Sequence, residues 1–146
     1  MIRIVVQREP IDVATELATI EAAGAGAIAS FTGLVRADDG VGCLELEHYP
    51  GMTEAALAAV ARDAAERWAL LAVTVVHRVG PMAPGERIVF VAAAAPHRAP
   101  ALDACAALID RLKTEAPFWK RETRDVGTRW VDARAGDRAA ADRWRA

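Results

Sequence analysis

Two periods of hydrophobic and polar positions run along this chain, and each change of period marks an element. Ile2–Gln7 predicts a first strand, and Pro10–Ala22 a helix with Ile11, Leu17 and Ile20 on its inner side. The Gly24–Ala27 run breaks that helix, and Ala27–Val35 is an apolar, strand-like stretch. Asp38-Asp39-Gly40 is a turn signal. After it, Cys43–His48 alternates Leu44 and Leu46 with Glu45 and Glu47, the pattern of a half-buried strand. Tyr49-Pro50-Gly51 closes the strand. Thr53 is the predicted cap of a helix reaching Trp68, with Leu57, Val60 and Ala64 at helical spacing. Leu71–Val79 and Arg87–Ala95 read as two further strands across a Gly/Pro-rich connection, Gly80 to Gly85. Ala101–Lys113 predicts a helix with Leu102, Cys105, Leu108, Ile109 and Leu112 on or beside one face, and Pro117 stops it. Phe118–Thr123 and Thr128–Val131 form a last strand pair, and Gly136–Ala146 a polar, helical tail. The alternation of strands and helices, without repeat or linker, predicts a single α+β or α/β domain over residues 1–146.

Composition narrows the class. At 53% hydrophobic and 26% charged residues the chain is that of a soluble globular protein. No apolar stretch approaches the length of a membrane span, and the N-terminus lacks the apolar region and cleavage site of a signal peptide. Two cysteines, Cys43 and Cys105, make no disulfide framework and no CxxC site, which points to a reducing, cytoplasmic setting. A net charge of −2 gives no overall nucleic-acid footprint. The charge is uneven, with three arginines against nine acids in residues 1–60 and fifteen basic residues against eleven acids in 61–146.

Sixteen of the eighteen basic side chains are Arg, and the two lysines, Lys113 and Lys120, stand seven residues apart. A lysine amine, unlike a guanidinium, shifts its proton affinity readily with burial and nearby charge. Lys113 falls at the edge of its helix's apolar face, one turn after Ile109, and Lys120 should point away from Trp119 by strand alternation. Two further places carry cationic donors. Arg36 ends the apolar strand at Leu34-Val35, and His97-Arg98 lies at a strand-to-helix junction, where free N–H groups favour an anion. His77 and His48 read as packed or structural. No nucleophile elbow, phosphate loop or metal-ligand spacing is present in the sequence. From the residues alone the chain is an anion-binding α+β domain suited to a phosphorylated or carboxylated small molecule.

Phe31–Arg36 (FTGLVR), Leu46–Met52 (LEHYPGM), His77–Gly80 (HRVG), His97-Arg98, Leu112–Glu122 (LKTEAPFWKRE) and Trp130-Val131 resemble, in order and spacing, the molybdopterin synthase catalytic (large) subunit family. The likeness covers nearly the whole chain; Pro96 before His97 departs from the pattern. The resemblance implies an α/β-hammerhead-like domain with an additional α+β subdomain, and a homodimer that forms a heterotetramer with two small ubiquitin-like sulfur carriers. It implies a sulfurtransferase that converts cyclic pyranopterin monophosphate to molybdopterin with sulfur from the carrier's Gly-Gly thiocarboxylate tail. No cofactor, metal, nucleic acid or membrane is implied at this step. Carried onto this sequence, the family's pocket is Leu34, Val35, Arg36, His97, Arg98, Lys113, Lys120, Arg121 and Glu122, with Arg134 from the other subunit. Lys113 and Lys120 are the expected catalytic pair, and backbone groups of Leu34 and Val35 would position the pterin. The rival readings are a non-catalytic module docking a ubiquitin-like protein, and an RNA-binding domain, against which stand the net acidity and a single tyrosine.

Overall fold

The computed structural model describes residues 1–36, 41–124, 127–130 and 140–144. Along the chain the elements are β1 (Ile2–Gln7), α1 (Val13–Glu21), β2 (Ala27–Leu34), β3 (Val41–His48), α2 (Met52–Arg67), β4 (Ala72–Arg78), β5 (Gly80–Met82), β6 (Arg87–Ala95), α3 (Arg98–Glu115), β7 (Phe118–Arg124) and β8 (Gly127–Trp130). They build two four-stranded sheets, ordered β1-β4-β6-β2 and β5-β3-β7-β8. The mixed helix and sheet content is that of the α+β class the sequence predicts.

In the first sheet β1 runs parallel to β4, while β6 is antiparallel to both β4 and β2. Both faces are covered. Val73, Val75, Val89, Val91, Ala93 and Ala95 pack with Leu57, Val60, Ala104 and Leu108 of α2 and α3. On the other face Ala72, Val76, Phe90, Ala92 and Ala94 pack with Ile11 and Ile20 at α1. Burial on both faces explains why β4 and β6 read as continuous apolar runs. The alanine run Ala92–Ala95 lets helices approach both faces closely. The second sheet is antiparallel throughout, and its Leu44, Leu46 and Met82 form a smaller core with Val35 from the end of β2.

Four local expectations are corrected. Thr53 does not cap α2. Gly51, at φ 86°, is the N-cap, and its N–H donates to Glu54 Oε1 at 3.0 Å. Thr53 is buried one position inside the helix, accepting from Tyr49 N–H at 3.0 Å and donating to the Pro117 carbonyl at 2.7 Å. Leu102 is 60% exposed and lies off the packed face of α3, which instead buries Ala101, Ala104, Cys105, Leu108 and Leu112. The Gly80–Gly85 connection contains β5, whose Met82 and Gly80 pair with Leu44 and Leu46. α3 also begins earlier than the periodicity indicates, at Arg98, because Pro100 fits a first helical turn whose N–H groups need no helical partner. Of the predicted tail helix, residues 140–142 are helical; the turn at Asp38-Asp39-Gly40 and residues 136–139 lie outside the described residues.

Candidate active site

The two lysines come to one end of the molecule through different elements. Lys113 is in the last turn of α3, an exposed cation where the helix dipole favours positive charge. Lys120 sits in β7 directly opposite Leu46 of β3. Directly paired residues share a face of the sheet, so Lys120 and Glu122 lie on the side of Leu46 and Leu44. Those leucines are 4% and 5% exposed and pack against Val35, so the β2 end carrying Leu34, Val35 and Arg36 meets the face that carries Lys120. Glu122 is buried there and Lys120 half-buried. Trp119 and Arg121 take the opposite face, as alternation requires. Trp119 is exposed and lies 5.6 Å from the Tyr49 ring, while Arg121 makes an ion pair with Glu45, its cross-strand neighbour.

The backbone at Val35 is already engaged. Its N–H donates to the Glu86 carbonyl at 2.9 Å, and its own carbonyl accepts from Gly85 N–H at 2.8 Å. A ligand contact through the Val35 N–H, as the resemblance implies for this stretch, is therefore closed off in this structure. The side chain of Glu86 in turn accepts from Arg78 Nη1 at 3.2 Å and from Ala83 N–H, which holds its carboxyl below the ordinary range. Arg78 is buried and also donates twice to the Arg8 carbonyl, at 2.8 and 3.1 Å. The arginine of the HRVG stretch thus ties the strand end that bears Arg36 to the rest of the first sheet.

His77, on the other side of β4 from Arg78, is packed against the site. Its ring stacks on Phe118 with centroids 4.1 Å apart, and Nδ1 lies 2.9 Å from the Arg78 carbonyl. Although the residue keeps some exposed surface, desolvation of its imidazole, opposed by the bond to the Arg78 carbonyl and aided by the Lys113 charge, lowers its pKa from 6.5 to about 4. Sequence reasoning assigned His77 to packing and missed its nearness to both lysine-bearing elements. The one signal available was that HRVG recurs among the stretches carrying the resemblance. His48 is set opposite Phe118 in the ladder, with Nε2 3.7 Å from Glu54.

His97 and Arg98 are elsewhere. His97 is the N-cap of α3 in an extended conformation without a side-chain capping bond, and both side chains are exposed. A Cβ on Gly26 would meet the Pro96 carbonyl oxygen at 2.2 Å, so the glycine permits the close approach that shapes this loop. Arg98 and Lys113 stand at opposite ends of the 18-residue α3; at 1.5 Å per residue this is roughly 22 Å along the axis. One chain therefore gathers Leu34, Val35, Arg36, Lys113, Lys120 and Glu122 at one end and leaves His97 and Arg98 at the other. Arg134 lies outside the described residues.

The geometry offers a cationic, partly desolvated end suited to a carboxylate or a developing oxyanion. The family model described as MoaE protein matches residues 6–115. A molybdopterin synthase catalytic subunit of Pseudomonas aeruginosa is 50% identical over 144 residues, covering 95% of this chain and 96% of the relative. The solved molybdopterin biosynthesis MoaE protein of Burkholderia ambifaria superposes with a TM-score of 0.86 at 49% identity, covering 99% of this chain and 98% of that one. A molybdopterin synthase structure from Staphylococcus aureus gives a TM-score of 0.79 at 33% identity, over 87% of this chain and 95% of that one. The chain belongs to the MoaE protein family, a family of enzymes whose members bear the name molybdopterin synthase catalytic subunit.

Proposed function

We propose that this enzyme transfers sulfur from the thiocarboxylated Gly-Gly tail of a small ubiquitin-like carrier to cyclic pyranopterin monophosphate, forming the dithiolene of molybdopterin. The observation that carries the reading is the convergence of the chain's two lysine-bearing elements with the Leu34–Arg36 strand end. An extended tail ending in glycines and a carboxyl group suits such a cationic end. Lys113 and Lys120 stabilise the negative charge that develops at the tail's carbonyl oxygen when its acyl group is transferred. A lysine amine can also give or take a proton during the transfer, which a guanidinium cannot. Arg36 supplies a fixed positive charge for the substrate phosphate.

The separation of His97-Arg98 from Lys113 bears on assembly. Our reading is a homodimer in which each pocket takes Lys113 and Lys120 from one chain and cationic donors from the other. Arg134 is one such donor, and the exposed His97-Arg98 pair at the far end of α3 is a second. A two-fold axis makes this exchange reciprocal. In this reading the chain is one catalytic domain, and among the described residues no helix is long and apolar enough to cross a membrane.

The test is incubation with thiocarboxylated carrier and cyclic pyranopterin monophosphate, following molybdopterin formation. Product that depends on both reactants is expected. Carrier binding without product, and without binding of the pterin, would instead make the chain a docking module.

A further inference from the structure

The ladder between β2 and β6 ends in a bulge. Pairing runs in step from Ala27 opposite Ala95 to Gly33 opposite Val89, then passes over Ile88, so that Leu34 faces Arg87. A bulge terminates regular pairing and re-aims the residues beyond it. Beyond this one Val35 enters the small core of Leu44, Leu46 and Met82, while Leu34 and Arg36 on either side of it are exposed. Gly33 permits the close approach at the bulge, since a Cβ there would meet Val89 Cγ1 at 2.8 Å. Past the bulge the turn at Ala83–Glu86 takes over from the ladder. It holds Val35 by both backbone groups, through the Glu86 carbonyl at 2.9 Å and the Gly85 N–H at 2.8 Å. Glu86 closes that turn on itself. Its N–H donates to the Ala83 carbonyl at 3.1 Å, its Oε2 accepts from the Ala83 N–H, and its Oε1 accepts from Arg78 Nη1 at 3.2 Å.

We propose that Glu86 and Arg78 are positioning residues for Arg36: together they brace the Ala83–Glu86 turn, which clamps Val35 and so sets the direction in which Arg36 leaves the strand. Arg36 follows Val35 directly in the chain. The two oxygens of Glu86 do different work, one closing the turn and the other tying it to Arg78. Arg78 is buried at the end of β4 and anchored by two bonds to the Arg8 carbonyl, so the turn is referred to the rigid first sheet. A cation on a held strand end loses less freedom on meeting an anion than one on a frayed end, and binds it better for that reason. The inference rests on the reading of Arg36 as the ligand of the substrate phosphate; the brace itself does not.

The test combines amide exchange with kinetics on the full chain and its carrier. In Glu86→Ala the Val35 and Gly85 amides should exchange at least about tenfold faster than in the wild type. The KM for cyclic pyranopterin monophosphate should rise about tenfold, with kcat and the KM for the carrier near wild type. A general loss of folded protein would lower kcat instead. Glu86→Gln keeps one carbonyl oxygen, enough for Ala83 or Arg78 but not both, and should fall between. Arg78→Lys keeps the charge without the fork that spans Glu86 and the Arg8 carbonyl, and should behave like Glu86→Ala; wild-type behaviour in it would remove Arg78 from the brace. Unchanged exchange at Val35 and Gly85 in Glu86→Ala overturns the proposal whatever the kinetics. Arg36→Ala is the reference. If it raises the pterin KM and Glu86→Ala does not, the positioning role is overturned. If Arg36→Ala leaves the pterin KM unchanged, the phosphate reading of Arg36 fails, while faster exchange in Glu86→Ala still upholds the brace.

Discussion

The His77 ring lies against Phe118 with centroids 4.1 Å apart and planes inclined by 24°. This stack joins the end of a buried central strand to the first residue of the strand that carries Lys120. Aromatic rings in offset contact add specific geometry to the burial of their surfaces. A histidine that serves in this way has to remain uncharged, and that requirement has a cost in acid.

Stability should therefore fall between pH 6.5 and about pH 4. The folded-state pKa of His77, about 4, is below the ordinary 6.5, so in this window the unfolded chain binds the additional proton. Unfolding free energy then rises with pH, is fully gained above 6.5, and is lost as pH falls toward 4. The His77 contribution is at most roughly 3 kcal/mol. Glu86, whose carboxyl is lowered by the Ala83 N–H and Arg78, acts in the same direction and loses its contribution at still lower pH. Urea unfolding across this pH range measures the effect. In His77→Phe the slope between pH 4 and 6.5 should be shallower, and an unchanged slope would remove His77 as its source.

Lys113→Arg and Lys120→Arg should each fold normally and lose at least about tenfold in turnover. Arginine keeps the charge but holds its proton too firmly for acid–base work, an effect within the range of general acid–base catalysis. Single-turnover formation of molybdopterin is the measurement. Wild-type rates in both variants would show the lysines acting only as charges.

Thr53→Val is expected to destabilise the fold by about 1–3 kcal/mol, because it strips partners from two backbone groups, the Tyr49 N–H and the Pro117 carbonyl. Valine matches the shape of threonine, so the loss reports the hydroxyl and not a cavity. Thermal and denaturant unfolding should agree on it. A helix-capping role would instead predict a loss of helicity at α2, visible by amide exchange near Met52, and no effect at Pro117–Phe118.

Mixed dimers test whether the pocket is shared. Arg98→Ala and Lys113→Ala homodimers should each be nearly inactive, as should Arg134→Ala. A dimer pairing the arginine variant with the lysine variant holds one doubly defective pocket and one intact pocket, and should recover about half of wild-type activity. Confirmed subunit exchange with no recovery would place these arginines in the same chain's pocket or outside it altogether.

Most of the elements were legible from local pattern, since the period of apolar residues follows directly from helix and strand geometry. Leu44 and Leu46 turned inward as their alternation with Glu45 and Glu47 requires, and Trp119 and Lys120 took opposite faces. The paired lysines were legible as an anomaly of composition, and the family from the order and spacing of its motif stretches along the chain. Local pattern failed where a side chain answers to a distant partner. Thr53 has the chemistry of a cap, but its hydroxyl is claimed by the Pro117 carbonyl, 64 residues away in the chain. Leu102 fits the helical period loosely, but the small residues Ala101, Ala104 and Cys105 form the surface that meets the sheet. His77 and Phe118 are separated by two strands and a whole helix, and no periodicity couples them. The separation of Arg98 from Lys113 was implicit in helix length, but that they fall into different groups depended on α3 folding back along β6. Sequence by itself determined which segments are helix or strand and which residues carry charge or a movable proton. Tertiary structure alone decided which of those residues meet, because contacts between distant segments depend on how the sheets and helices pack, not on the period within any one of them.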